Sequence, residues 1–132
     1  MRWINTLLLA ALAFALAASP AAAQVAGSYE LVQVNGQAVP APSPEEPDVV
    51  VLTMALVLMP DGRFTLQATA LDGEPEQSEH KAEGGWTVEA DSLILTSDDA
   101  FDDGVLRFRY AVEGETLKLY TENDYEFTFR RR

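Results

Sequence analysis

The chain has 132 residues, 48% of them apolar, with 21 acidic residues against 9 basic ones, one histidine and no cysteine, for a formal net charge of -12. That length fits one compact domain, and a field this negative disfavours nucleic acid, polyphosphates and anionic membrane surfaces as partners. Without cysteine there is no disulfide, thiol nucleophile, cysteine metal site or lipid-attachment thiol, so packing must hold the fold together.

The amino terminus reads as a targeting segment. Arg2 is a short basic region, residues 3–18 are an apolar run, and Ser19-Pro20-Ala21-Ala22-Ala23 ends in a small-x-small pattern. This is the layout of a signal peptide. The expectation is a signal peptide at residues 1–23, cleaved after Ala23, and a mature domain at residues 24–132 that is secreted or periplasmic. The apolar run falls short of the ~20 residues a bilayer span needs and Pro20 interrupts it, so no membrane span is expected in the mature chain.

From residue 24 onward helical periodicity is nearly absent, while period-2 alternation and turn residues recur about every ten positions. Eight strands are predicted, at 27–34, 50–59, 63–71, 80–89, 92–97, 104–112, 116–121 and 125–131. The one long connection, residues 35–47, carries Pro40, Pro42, Pro44 and Pro47, a composition that disfavours pairing in a ladder.

Turn geometry tests the register, because opposed residues must share a face. A three-residue loop at Pro60-Asp61-Gly62 sets Leu58 against Phe64, Leu56 against Leu66 and Met54 against Ala68. A two-residue turn at Ala90-Asp91 sets Val88 against Leu93 and Trp86 against Leu95. The same device at Glu113-Gly114 pairs Tyr110 with Leu117 and Phe108 with Leu119, at the cost of Arg109 facing Lys118. A loop at Glu122-Asn123-Asp124 then pairs Leu119 with Phe127.

The inward set is Tyr29, Leu31, Leu52, Met54, Leu56, Leu58, Phe64, Leu66, Trp86, Val88, Leu93, Leu95, Leu106, Phe108, Tyr110, Val112, Leu117, Leu119, Tyr125, Phe127 and Phe129. None of these is charged. Antiparallel strands with one apolar face each hide those faces by curling into a closed barrel, which also removes exposed edges. The fold class is therefore all-β: an eight-stranded antiparallel up-and-down barrel in which the first strand meets the last. The short chain favours a bore filled by side chains over an empty one.

The opening Gly27-Ser28-Tyr29-Glu30-Leu31-Val32-Gln33-Val34-Asn35-Gly36 with Pro40, the Asp61-Gly62-Arg63-Phe64 turn, Gly85-Trp86 and the closing Phe129-Arg130 resemble small bacterial lipocalin-like domains of the calycin group. The resemblance implies a cation covering the aromatic residue of the first strand, with Arg130 or Arg131 over Tyr29. It also implies a non-catalytic domain that binds a small apolar ligand in its bore. META-type domains share a similar first strand, but their Gly-Cys-Asn segment has no counterpart here, and the inward set has too few polar residues for an avidin-like barrel.

The residues expected to meet such a ligand are Tyr29, Trp86, Phe108, Tyr110 and Tyr125, with the tyrosine hydroxyls as orienting groups. Enzymatic chemistry has little support. His80, beside Ser78 and Glu79, has no Gly-x-Ser-x-Gly elbow near it, and one histidine cannot build a histidine-rich metal centre. The run Asp98, Asp99, Asp102 and Asp103 is a calcium candidate by clustered oxygens, yet it fails the EF-hand pattern because Phe101 and Tyr110 stand where ligands are required. No cofactor is expected. The alternative is a protein-binding module, such as an inhibitor of a secreted hydrolase, that uses the proline-rich residues 37–47 and the acidic rim as its contact surface.

Overall fold

The computed structural model describes residues 20–73, 77–98 and 104–132. A short helix, α1 (Pro20–Val25), precedes ten strands: β1 (Gly27–Val34), β2 (Gln37–Ala38), β3 (Ala41–Pro42), β4 (Val49–Leu58), β5 (Arg63–Asp72), β6 (Gln77–Glu89), β7 (Ser92–Ser97), β8 (Val105–Glu113), β9 (Thr116–Tyr120) and β10 (Glu126–Arg131). The ladder runs β1-β10-β9-β8-β7-β6-β5-β4, and β1 also pairs with β4. Every pairing is antiparallel, so the eight long strands close into a barrel whose first strand meets both the second and the last. All eight predicted strands are present, and 80–89 extends back to Gln77.

Pairing within the first two predicted hairpins follows the sequence reading. Leu58 faces Phe64 and Leu56 faces Leu66, while Val88 faces Leu93 and Trp86 faces Leu95. Between β8 and β9 the register differs. Glu113 pairs with Thr116, so the turn is Gly114-Glu115, and Tyr110 faces Leu119 instead of Leu117. Gly114 takes φ 61 at the first central position, which suits the glycine of a type II′ hairpin turn. The shift moves each partner by two residues and therefore leaves every face unchanged. It also removes the expected like-charge cost: Arg109 lies opposite Tyr120, not Lys118, and Phe108 faces Leu93, with Leu119 no longer its partner.

Two bulges reset the alternation. The β4–β5 register shifts between Val51 and Thr53, which places Val51 in the core cluster and leaves Leu52, expected inside, out of it. A second shift, between Leu31 and Gln33 of β1, brings Val34 into the core. Residues 35–47 also depart from the expected unpaired loop. β2 adds to β1 and β3 to β4, with Pro42 opposite Val50. Proline is tolerated there because β3 is the last strand in the sheet order, where a missing N–H breaks no further ladder. Ala41 is buried under this fold-back.

Chain direction separates the two ends of the barrel. Turns 59–62, 90–91 and 114–115, together with α1, lie at one end, the base. Residues 35–48 and 121–125 lie at the other, the mouth, together with Gly73, Asp98 and Gly104. The largest fully buried side chains include Tyr29, Phe64, Phe129, Leu58, Leu93 and Leu117. Gly84 is required by a close approach at the β6–β7 contact: a Cβ there would lie 1.9 Å from the Thr96 carbonyl oxygen and 2.9 Å from the Ser97 Cα.

Candidate ligand cavity

The base is sealed by a network that begins with Tyr29. This side chain is 1% exposed, and its hydroxyl donates to the Val25 carbonyl at 2.6 Å. Arg131, opposite Tyr29 on β10, lies with its guanidinium carbon 5.1 Å from the ring centroid. Its Nη2 donates to the Tyr29 hydroxyl at 2.9 Å and to the Gln24 carbonyl at 2.8 Å, and its Nη1 donates to the Ala26 carbonyl at 2.8 Å. Of the two cations expected to cover Tyr29, Arg131 is therefore the one that does, while Arg130 is exposed. Gly27, at φ 153, leaves room for this guanidinium, because a Cβ would stand 2.6 Å from Nη1. Burial raises the Tyr29 phenol above its ordinary value near 10, and the charge of Arg131 partly offsets the rise. Trp86 closes the base from β6, its indole N–H donating to the Met59 carbonyl at 2.8 Å.

Toward the mouth the bore is open, contrary to the expectation of a filled core. A cavity of about 530 Å³ is walled by Met54, Leu56, Leu66, Leu95, Leu106, Phe108, Leu119, Phe127 and Phe129. Ser43, Pro44 and Glu45 reach it from the connection between β3 and β4, and Thr121, Glu122, Asn123 and Tyr125 reach it from the β9–β10 connection. The proline-rich segment thus forms part of the cavity's rim. The alternation that drives the barrel to close also supplies these walls, since each is an inward position of a long strand.

Of the five residues expected to meet a ligand, Phe108 and Tyr125 line the cavity. Tyr29, Trp86 and Tyr110 are not among its walls, and the polar groups of Tyr29 and Trp86 are satisfied at the base. Sequence reasoning missed Ser43, Glu45, Glu122 and Asn123. Their signal is weak, because loop residues carry no periodicity, but all four belong to connections that an up-and-down barrel must place at one end.

The remaining candidates for chemistry are engaged elsewhere. Asp98 forms an ion pair with Arg63 at 2.5 Å, which lowers its carboxyl below the usual carboxylate range chiefly through that hydrogen bond. Asp99, Asp102 and Asp103 lie outside the described residues, among which no group of three or more metal-ligating side chains occurs. His80 Nε2 is 3.2 Å from Ser78 Oγ. That hydroxyl also lies 3.3 Å from the Ala70 carbonyl, to which it can donate, and among the described residues no acidic third member bonds to the pair. On the outer face Arg109 pairs with Asp124 and lies 5.2 Å from the Tyr120 ring centroid.

The chain matches no family model and no curated protein. It is similar to the solved structure of a lipocalin-like protein from Bacteroides uniformis ATCC 8492, with a TM-score of 0.57 at 15% identity over 83% of this chain and 99% of that one. It is also similar to an uncharacterized protein from Bacteroides eggerthii DSM 20697, with a TM-score of 0.55 at 13% identity over 81% of this chain and 98% of that one. Together with the closed eight-stranded antiparallel barrel, the likeness defines a lipocalin-like β-barrel domain. Among the described residues no helix is long and apolar enough to cross a membrane.

Proposed function

We propose that this domain is an exported, non-catalytic binding protein that takes a small, mostly apolar ligand into the barrel bore. The observation that carries the reading is the cavity of about 530 Å³ with aliphatic and aromatic walls and a few polar rim groups. Its size lies within the range of small-molecule sites, and its lining has their usual composition. Export rests on Arg2, the apolar run and the Ala23 junction. Cleavage there leaves in place the Gln24, Val25 and Ala26 carbonyls that Tyr29 and Arg131 use, and removes the Ala22 carbonyl that accepts from the Ala26 N–H. Intact mass of the exported protein should begin at Gln24; residues 1–23 still attached would overturn that part.

The binding test is a titration of the mature chain with an environment-sensitive apolar dye. Saturable binding that Phe108→Trp abolishes, by filling the bore, is the expected result. If a panel of apolar probes gives no saturable response, the reading fails, and residues 37–47 become the surface to test against protein partners.

A further inference from the structure

We infer that the ligand class is an amphipathic cation, with an apolar body in the bore and a protonated amine or quaternary ammonium at the mouth. This rests on the cavity being the binding site. Nothing ionised can sit among Met54, Leu66, Phe108 and Phe127 without a large desolvation cost, so any charge on the guest must stay at the rim. There Glu45 and Glu122 both line the cavity, both are exposed, and neither belongs to an ion pair among the described residues. The basic wall residue, Arg107, has Glu89 as a partner at 3.9 Å, so the carboxylates around it outnumber its single charge.

A ligand ending in a carboxylate would therefore bring its charge toward two carboxylates in a chain of net charge -12. A cation meets the opposite field, focused at the mouth of a low-dielectric bore. The polar rim also suits such a head group: Thr121 and Asn123 bring oxygen acceptors to the lining, the Thr121 hydroxyl already accepting from the Tyr125 N–H at 3.2 Å with one lone pair to spare, and Tyr125 adds an aromatic ring.

Three probes with the same alkyl tail test the inference: decylammonium, decanol and decanoate, each competed against the apolar dye at low ionic strength. Decylammonium should bind about tenfold or more tightly than decanoate, and the ratio should shrink as salt is raised through physiological strength. The double variant Glu45→Gln, Glu122→Gln, checked for an unchanged melting temperature, should bring the ratio toward one. Equal affinities, or tighter decanoate, would overturn the cation inference while decanol binding kept the cavity reading intact. A preference that survives both substitutions and high salt would overturn the assignment to these carboxylates. If none of the three displaces the dye, the cavity reading itself fails.

Discussion

At the scale of single residues, the contact between Tyr29 and Arg131 shows how one pair can tie both chain ends of a barrel together. The guanidinium stacks on a ring of β1 and donates to two carbonyls of the segment that enters β1. Arg131→Met keeps the aliphatic stem and loses these bonds, so it should cost about 2–4 kcal/mol in urea unfolding. Arg130→Met, at an exposed neighbour, should stay within about 0.5 kcal/mol. Tyr29 also makes stability pH-dependent. Because its folded-state value is raised, the unfolded chain ionises first. The contribution is complete below the ordinary tyrosine value and is lost as pH rises through the higher folded value. Melting temperature should therefore fall more steeply above pH ~10 in the natural protein than in Tyr29→Phe, which lacks the ionisable group.

At the scale of elements, hairpins show where local chemistry is decisive and where it is only tolerated. Gly114 supplies a positive φ at no steric cost, but the β6–β7 turn places Ala90 at φ 54, where a Cβ is disfavoured. Ala90→Gly should relieve this and stabilise the protein by about 0.5–1 kcal/mol even after the entropy that glycine adds to the unfolded chain. An unchanged or lower denaturation midpoint would show that the turn carries no such strain. The shifted β8–β9 register belongs to this scale as well. Apolar alternation places Phe108, Tyr110, Leu117 and Leu119 on one face, yet it is indifferent to a slide of two residues. The choice falls to the turn and to Arg109, which gains the Tyr120 ring and Asp124 in place of Lys118.

At the scale of the whole molecule, the barrel divides into a packed base and a hollow mouth, and the same substitution should differ between them. Phe64 is 1% exposed in the core cluster and is not a wall of the cavity, so Phe64→Ala should cost about 3–5 kcal/mol, a large share of a domain's total stability. Phe108 is only half-buried beside an existing cavity, so Phe108→Ala should cost clearly less. Comparable losses at the two sites would contradict the division. Charge acts on the molecule as a whole. The four ion pairs among the described residues are exposed and individually weak, against an excess of 12 negative charges. Screening should therefore relieve more repulsion than it removes attraction, and added sodium chloride at neutral pH should raise the melting temperature.

What the sequence determined by itself is the class of fold: eight alternating segments, one apolar face on each, and short turns that make neighbours antiparallel. These are local properties, written in residue order, and the barrel follows from the need to hide one face and leave no edge. The pairing of an aromatic residue on the first strand with a cation on the last was expected only through the resemblance of those strands to lipocalin-like domains, which left Arg130 and Arg131 both open. The bulges beside Val51 and Val32, the two-residue slide of β9 and the fold-back of residues 35–48 were not legible. Each leaves local alternation intact on either side and is settled only by which strands meet once the sheet closes. The cavity belongs to the same group. Sequence lists the side chains that point inward, but whether they meet across the bore depends on the barrel's width and strand tilt, and on how far β3 and α1 reach over its ends. Those are properties of the closed sheet as a whole, and they leave the base full and the mouth open to a ligand-sized space.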